Sequence, residues 1–344
     1  MSVKSQRLLD ASDKACVVVT TIQPPTESMR ALAQGCAKHG VNLLVVGDKK
    51  SPTAPYNLEG ASFYDISQQS ASGLLSAIEA PLNHYSRKNV GYLLAIQQGA
   101  RLIIETDDDN APLSSFWTAR SKAVLGRKVT HSGWVNAYRY FSAEMIWPRG
   151  LPLDAIKDAI PKATIEESFE CPIQQGLANG DPDVDAVFRL TRGLPFNFSE
   201  GLPVVLGAGT WCPFNSQNTT FFRQAFPLLY LPSYCSFRMT DIWRSFVAQA
   251  IAYANEWNIS FHMATVFQDR NNHDLMRDFS DEVVGYLHNG LIREELLRLP
   301  LAAGEGNIST NLLMCYQKLV SLSLVDAREL HLLDTWLSDL DRVR

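Results

Sequence analysis

The feature that most constrains the fold of this chain is a short apolar run followed directly by three consecutive aspartates. The run lies at 101–106 and is followed directly by Asp107, Asp108 and Asp109. It is typical of a buried strand, and adjacent carboxylates repel one another unless a cation offsets their charge. Asp107 and Asp109 would point the same way in an extended chain. The pattern therefore predicts a Mg²⁺ or Mn²⁺ site at a strand end, completed by water and substrate phosphates. An acidic turn in solvent is the alternative.

The first hundred residues alternate predicted strands and predicted helices. Strands are predicted at 15–22, 41–46 and 101–106, and helices at 86–98 and between an N-cap at Thr26 and a stop at Gly40. This alternation predicts an α/β fold with a largely parallel sheet covered by helices on both faces. Ligands of such sheets bind at the carboxyl ends of the strands. Thr20, Thr21 and Asp48 fall at two of those ends and are predicted to line a nucleotide pocket, although threonine hydroxyls also cap helices.

The rest of the chain alternates less regularly. Short strands are predicted at 134–141, 187–190 and 204–207, a helix at 241–255 and a strand at 259–268. Helical patterns then fill the region from 274 onward, including 282–298 and 326–340. We predict a catalytic domain over 1–279 and a helical C-terminal region over 280–344. An apolar stripe in that region, which includes Leu312 and Leu319, either packs on its own domain or pairs two copies.

Composition excludes several classes of protein. The 344 residues carry a net charge of −5 without a basic stripe, which argues against nucleic acid as a partner. No apolar run reaches the roughly 18–20 residues of a membrane span, and the N-terminus lacks the apolar core of a signal peptide. The six cysteines form no Cys-x-x-Cys pair, which argues against structural zinc and a disulfide framework. We therefore expect a cytoplasmic protein without a membrane span.

Several blocks of sequence resemble a known family. They are Val-Val-Thr-Thr-Ile at 18–22, Pro-Thr-Glu-Ser at 25–28, Val-Val-Gly-Asp-Lys-Lys-Ser-Pro at 45–52, Arg-Lys-Asn-Val-Gly-Tyr at 87–92, Thr-Asp-Asp-Asp-Asn at 106–110, Asp-Val-Asp-Ala at 183–186, Arg-Met-Thr-Asp-Ile-Trp-Arg at 238–244 and Val-Phe-Gln-Asp-Arg-Asn at 266–271. Over about residues 15–280 the chain resembles the STELLO-type glycosyltransferases. It is more distantly similar to the reversibly glycosylated polypeptides that act as UDP-arabinopyranose mutases.

The resemblance implies a GT-A-like, Rossmann-like mixed sheet flanked by helices that binds a nucleotide sugar. It implies that Asp109 is the direct ligand of Mn²⁺ or Mg²⁺, that Asp107 lies near the metal or the donor ribose, and that Asp108 supports them. A UDP-sugar is the expected donor and a glycan the expected acceptor. Because the chain lacks the membrane anchor of the plant proteins, we expect a role in bacterial glycan assembly. A nucleotide-sugar mutase and a catalytically silent scaffold of the same fold are the alternatives.

Two basic residues stand at the start of the helix that precedes the aspartate strand. A cation is mildly disfavoured at a helix N-terminus, so Arg87 and Lys88 invite a functional explanation. Contact with the donor phosphate or sugar is that explanation, and the family pattern favours it. Two solvated basic side chains are the alternative.

Three carboxylates are candidates for the base that deprotonates an acceptor hydroxyl. Asp241 begins a helix, where it would otherwise serve as an N-terminal cap. Asp183 and Asp185 compete with it, since their acidic turn would bind an acceptor or remain solvated.

Two histidines and three aromatic residues complete the set of candidates. His262 and His273 are candidates for a third metal ligand, although His262 lies in an apolar strand where a core histidine is commoner. Trp211, Trp243 and Tyr234 are candidates for stacking on an acceptor sugar or for core packing.

Overall fold

The computed structural model describes residues 7–52, 56–269 and 274–344, and there the chain forms one large sheet with helices packed against it. The strands are β1 (Ala15–Thr20), β2 (Asn42–Val46), β3 (Ala61–Tyr64), β4 (Leu102–Thr106), β5 (Asn110–Pro112), β6 (Ala123–Val129), β7 (Gly133–Trp134), β8 (Ala163–Glu170), β9 (Ile173–Gly180), β10 (Val204–Leu206), β11 (Thr210–Trp211), β12 (Asn218–Phe222) and β13 (Ile259–Gln268). The α-helices are α1 (Glu27–His39), α2 (Ile66–Ala71), α3 (Leu75–Glu79), α4 (Lys88–Gln97), α5 (Ala186–Thr191), α6 (Thr240–Ala254), α7 (Leu275–Leu297), α8 (Ile308–Ser321) and α9 (Glu329–Val343).

The large sheet is mixed, with the order β3-β2-β1-β4-β12-β9-β13-β10-β6-β8. The first four strands of this order are parallel to one another. β12 is antiparallel to both of its neighbours, and β9 and β13 are again parallel. β5 pairs antiparallel with the end of β13, while β7 and β11 form a separate two-stranded sheet. The predicted fold class, a GT-A-like mixed sheet flanked by helices, is confirmed.

The first strand and the first helix show why secondary structure could be predicted from the N-terminal half of the sequence. Val17, Val18 and Val19 of β1 are fully buried between layers of helix, so the strand is apolar on both faces. The Thr26 side chain accepts a hydrogen bond from the backbone N–H of Met29 and caps α1. Gly40 ends that helix in the left-handed region, at φ 65°. Both predicted ends of this helix are confirmed.

Strand direction brings six chain segments to one edge of the sheet. β1, β2 and β4 are parallel, so the residues that follow them lie together. β12 runs in the opposite direction and contributes the residues that precede it, whereas β9 and β13 contribute the residues that follow them. The sequence predicts the first three of these segments, and the antiparallel pairing of β12 adds the other three.

Two of the predicted short strands are wrong. Residues 187–190 lie in α5, because the Asp185 side chain accepts a hydrogen bond from the Phe188 N–H and starts a helix there. Residues 134–141 form a strand only at β7 and then a 3₁₀ helix, Ala137–Phe141, which buries Tyr138 and Phe141 in the core.

The C-terminal helices pack against the sheet-bearing part of the chain. α7 runs without a break through residue 279, and α9 contacts α3 and α4. Leu312, Tyr316 and Leu319 of α8 are buried in the same core as the strands. The predicted apolar stripe therefore packs within its own chain. Of the helices in the described ranges, none combines the length and the apolar composition that crossing a bilayer requires.

Candidate active site

A cavity of about 730 Å³ opens at the edge of the sheet where the six segments meet. A volume of this size suits a small-molecule ligand. The structure brings several of the sequence candidates together in its wall: Thr20, Thr21, Asp48, Arg87, Asp107, Asp108, Asp109, Asp183 and Asp241. Residues from the start of α7, the loop before α4 and the segments before α6 and β12 also line the wall.

Asp107, the first residue of the aspartate triplet, is paired with a buried lysine. Lys88 Nζ lies 2.8 Å from Asp107 Oδ1, and the lysine side chain is fully buried while the aspartate side chain is 37% exposed. Lys88 also donates to the backbone carbonyls of Thr106 and Ser216. These three contacts use all three ammonium hydrogens. Lys88 therefore fixes the triplet, and the predicted contact with donor phosphate stays a prediction that these contacts do not favour.

Asp108, the second residue of the triplet, is held from the β1 side. Its carboxylate accepts a hydrogen bond from the Thr21 hydroxyl at 2.5 Å, and its backbone carbonyl accepts one from the Thr26 hydroxyl at 2.7 Å. Burial raises the pKa of Asp108. The hydroxyl that caps α1 thus also anchors the triplet.

Asp109, the third residue of the triplet, faces the end of β13. Gln268 Nε2 donates to its two carboxylate oxygens at 3.0 and 3.1 Å. The pairing of β5 with β13 places these residues side by side. Burial, reinforced by the charge of Asp107, raises the pKa of Asp109 to about 7. A carboxylate in this state gains most from a cation.

The donor set of the triplet fits a hard divalent cation. Asp107 and Asp109 present carboxylate oxygens to the cavity, and these are the ligands that Mg²⁺ and Mn²⁺ prefer. Within the described ranges, no three His, Cys, Asp or Glu side chains form a metal-binding group. A metal here would thus rest on one or two carboxylates and take its other ligands from water and substrate, as Mg²⁺ commonly does.

A buried ion pair fixes the aspartate strand to helix α6. Arg244 donates to both oxygens of Glu105 at 2.7 and 2.9 Å, and both side chains are almost fully buried. The Tyr92 hydroxyl also donates to Glu105. The carboxylate raises the pKa of Arg244 above its ordinary value despite burial. Since Asp241 lies one helical turn before Arg244, this pair sets the triplet relative to Asp241.

Arg87 has a positioning role that differs from the prediction. Gln69 Oε1 accepts from its Nε and Nη2, and the carbonyls of Ala77 and Ala80 accept from its Nη2 and Nη1. Four of its five N–H groups are therefore occupied by protein, and burial lowers its pKa. Arg87 holds the chain around α2 and α3 against the cavity wall and has little capacity left for a phosphate.

Arg149 lines the cavity and is not among the residues predicted from the sequence. It donates to both oxygens of Asp183 at 2.8 Å and to both oxygens of Asp241 at 3.0 Å, and also to the carbonyl of Arg238. The guanidinium is almost completely buried. These carboxylates raise the pKa of Arg149 despite burial. It lies in a loop without periodicity, and its partners are 34 and 92 residues away, so no local pattern marks it.

The two carboxylates that flank Arg149 differ in the number of donors they accept. Asp241 Oδ2 accepts from Arg149 and from the Ser216 N–H and hydroxyl, and its Oδ1 accepts from Arg149 and Tyr85. The Arg149 guanidinium holds the pKa of Asp241 well below its ordinary range against the effect of burial. Each oxygen of Asp183 accepts one donor from Arg149. Asp241 is thus a poor proton acceptor, and Asp183 keeps lone pairs toward the cavity.

Two further candidates lie away from the cavity. Asp185 caps α5, accepts from Trp147 Nε1, and is fully buried outside the cavity wall, so the predicted catalytic role is wrong. His262 lies six residues before the cavity end of β13, and its Nδ1 contacts the carbonyl of Met263. Six residues of strand span about 20 Å, which is too far for a shared ligand. His273 lies outside the described residues.

Asp48, Thr20 and Thr21 line the cavity, as expected for residues of the predicted nucleotide pocket. Asp48 and Thr20 line the cavity at the ends of β2 and β1. Asp48 accepts from the N–H groups of Lys49 and His84, which ties the end of β2 to the loop before α4. Three aromatic residues were candidates for stacking on a sugar or for core packing. Trp211 and Trp243 are fully buried core residues, and Tyr234 packs under Arg328.

A mixed α/β sheet with an acidic cavity at the carboxyl ends of its strands is typical of ligand-binding proteins of the Rossmann-like class. Residues 238–344 match the family model of the STELLO glycosyltransferases. The chain is 30% identical over 304 residues to the Arabidopsis thaliana protein named "Probable glycosyltransferase STELLO2", which covers 82% of this chain and 39% of the relative. It is 31% identical over 258 residues to "Probable glycosyltransferase STELLO1" of the same plant, covering 69% and 33%. The chain is therefore similar to the STELLO glycosyltransferases over most of its length.

The chain spans well under half the length of these two relatives. Among solved structures, the crystal structure of M. tuberculosis glucosyl-3-phosphoglycerate synthase matches over 81% of each chain, with 11% identity and a TM-score of 0.41.

Proposed function

We propose that this protein is a metal-dependent glycosyltransferase that moves a sugar from a nucleotide-sugar donor to a hydroxyl of a carbohydrate acceptor. The observation that carries the proposal is the aspartate triplet, which three neighbouring segments hold at the rim of the 730 Å³ cavity. Similarity to the STELLO glycosyltransferases supports the reaction class. UDP-sugars are the first donors to test, because they are the donors that the family resemblance implies.

The donor half of the site is built from the ends of the parallel strands. Thr20, Thr21 and Asp48 line the wall on which we place the nucleoside. Asp107 and Asp109 are the residues that would hold a divalent cation. When bound, that cation would neutralise charge on the departing nucleoside diphosphate. Lys88 and Gln268 hold the two carboxylates in place, so little rearrangement is needed when the donor binds.

The acceptor half of the site is built from the antiparallel half of the sheet and α6. We assign the proton-accepting role to Asp183, whose side chain is 11% exposed, in preference to Asp241, whose side chain is 4% exposed. Arg149 orients both carboxylates through five donated hydrogen bonds to their oxygens and to one carbonyl. Asp241 then acts as a positioning residue that fixes Arg149.

The experiment that tests this function is a donor survey. The protein is incubated with a panel of UDP-, GDP- and ADP-sugars, with mixed glycan acceptors, in Mn²⁺ or in EDTA, and release of nucleoside diphosphate is measured. We expect one donor to be turned over only with metal, and Asp109→Asn to abolish turnover. Asp341→Asn, an exposed change far from the cavity in α9, is the matched control. Conversion of the donor sugar to its furanose isomer without acceptor would instead identify a mutase.

A catalytic role in bacterial glycan assembly and a cytoplasmic location remain predictions.

A further inference from the structure

Three aromatic rings form a cluster in the cavity wall, between Asp48 and Asp241, and no sequence prediction included them. His84 and Tyr85 stack with their centroids 5.5 Å apart, and Phe237 meets both rings edge-on at 5.1 and 4.9 Å. All three side chains line the cavity. We call this group the aromatic cluster.

The aromatic cluster presents an apolar surface at a polar opening. Phe237 is 48% exposed, although it belongs to a 3₁₀ turn, Phe237–Met239, whose Met239 is buried. Burial lowers the pKa of His84 to about 4, so its ring is neutral near pH 7. An exposed, preformed aromatic surface inside a cavity is suited to the apolar face of a ligand ring.

The position of the aromatic cluster points to the acceptor. The Tyr85 hydroxyl donates to Asp241 Oδ1 at 3.2 Å and accepts from the Asp241 N–H at 3.2 Å. Asp241 is joined through Arg149 to Asp183, the proposed proton acceptor. Phe237 is thus connected to Asp183 through Tyr85, Asp241 and Arg149, and Phe237 and Asp183 line the same cavity.

The charge of the cavity restricts which ring fits. Nine Asp and six Lys or Arg side chains line it within the described residues, so the wall carries three more negative than positive charges when all are ionised. A divalent cation and a donor diphosphate add charges that roughly cancel. Four of the cations, Arg87, Arg149, Arg189 and Arg238, already donate to protein acceptors. Such a wall opposes phosphorylated and uronic acid ligands.

We infer that the aromatic cluster is the subsite for an uncharged pyranose ring of the acceptor, with Phe237 as its main contact. This inference rests on the proposed glycosyltransferase function and specifies its acceptor class. The occupant is a neutral sugar because the ring surface is apolar and the surrounding wall is acidic.

The test uses saturation-transfer NMR without nucleotide, so its result does not depend on donor binding. The probes are the neutral trisaccharides maltotriose, cellotriose and mannotriose, with trigalacturonic acid and glucose 6-phosphate for comparison. We expect at least one neutral trisaccharide to bind and neither charged sugar to do so. Phe237→Ala should weaken that binding about three- to tenfold, and Phe237→Tyr should retain it. Leu82→Ala is the matched control, because Leu82 is 45% exposed and lies outside the cavity wall.

Several results would overturn the inference. These are equal trisaccharide binding by wild type and Phe237→Ala, stronger binding of either charged sugar, or no binding of any neutral trisaccharide. Weaker binding of a UDP-sugar but not of UDP by Phe237→Ala would assign the cluster to the donor sugar instead. A thermal shift of Phe237→Ala with UDP and Mn²⁺ that equals the wild-type shift shows that the variant is folded. If UDP and Mn²⁺ cause no thermal shift in the wild type, the proposed function is contradicted. The trisaccharide result does not depend on that shift.

Discussion

Lys88 Nζ lies 2.8 Å from Asp107 Oδ1, so a fully buried positive charge is paired with the first carboxylate of the triplet. The lysine projects from the start of α4, where a cation is disfavoured by the helix dipole. The cost is offset by an ion pair and two carbonyl acceptors. The protein therefore holds Asp107 in place before any metal binds, which is a form of preorganisation.

Replacement of Lys88 by methionine should destabilise the protein and make its stability depend on metal. The change removes one donor from each of two carbonyls and the compensating charge from Asp107, so we expect a loss of about 2–4 kcal/mol. Mn²⁺ should restore more stability to the variant than it adds to the wild type. Urea unfolding with Mn²⁺ and with EDTA measures both effects.

Lys50→Met is the control for this change, since Lys50 is an exposed lysine of the same cavity. It should change stability by less than about 0.5 kcal/mol. An equal loss for Lys88→Met with and without Mn²⁺ would show that Lys88 does not act through the charge of the triplet.

Asp241→Asn should act mainly on folding. The carboxylate accepts from Arg149, Ser216 and Tyr85, and its removal leaves the buried guanidinium with one of its two carboxylate partners. Breaking one side of a buried ion pair costs about 3–5 kcal/mol. Unfolding of this variant in guanidinium chloride measures the loss of stability. Asp334→Asn, a change at an exposed residue of α9, is the control. A stable Asp241→Asn variant that lacks only turnover would restore Asp241 as the base.

His262 should make the protein sensitive to acid. Burial lowers its folded-state pKa to about 4 from an ordinary value near 6.5. The unfolded chain thus binds more protons between these values, and stability falls as the pH drops through that window. From pH 7.5 to pH 5 this single residue should cost about 2 kcal/mol.

His262→Gln should remove that part of the acid sensitivity, and urea unfolding at the two pH values measures it. His331→Gln is the control, because His331 is 67% exposed on α9. The same pH-dependent loss in wild type and His262→Gln would refute the assignment.

Asp339 should link the C-terminal helix to the sheet-bearing part of the chain. Its two carboxylate oxygens accept from the N–H groups of Leu75 and Ser76, and it thereby caps α3 from 264 residues away. Loss of a helix cap costs about 0.5–2 kcal/mol. We expect Asp339→Ala to lose that amount and Asp341→Ala, an exposed change on the same helix, to lose almost none. Equal stability of the two variants would argue that α9 contributes little to α3.

The local features of this fold are readable from sequence, whereas the contacts between distant segments are not. The apolar run before Asp107, the Thr26 cap and the Gly40 stop each depend on neighbours within a few residues, and the structure has them where predicted. Residues 187–190 were misassigned because Asp185, two positions earlier, starts a helix and overrides their β-branched and aromatic pattern.

The site shows the same division more sharply. The triplet is visible because it is contiguous, and the strand ends of β1 and β2 follow from parallel topology. Arg149 and Phe237 could not be predicted from the sequence, because neither lies in a periodic segment and the partners of each are far along the chain. The sequence shows that Arg87 and Lys88 are cations at the start of a helix. Only the structure shows that their N–H groups donate to other residues of the protein.

The most direct test of the account is calorimetric titration of UDP into wild type and Asp109→Asn, with Mn²⁺ and with EDTA. Asp109 faces the cavity beside Asp107, with its carboxylate held by Gln268. We predict that the wild type binds UDP much more tightly with Mn²⁺ and that Asp109→Asn loses this gain while remaining folded. Equal affinity for UDP in Mn²⁺ and EDTA, or an undiminished Mn²⁺ effect in Asp109→Asn, would contradict a metal-dependent donor site at the triplet.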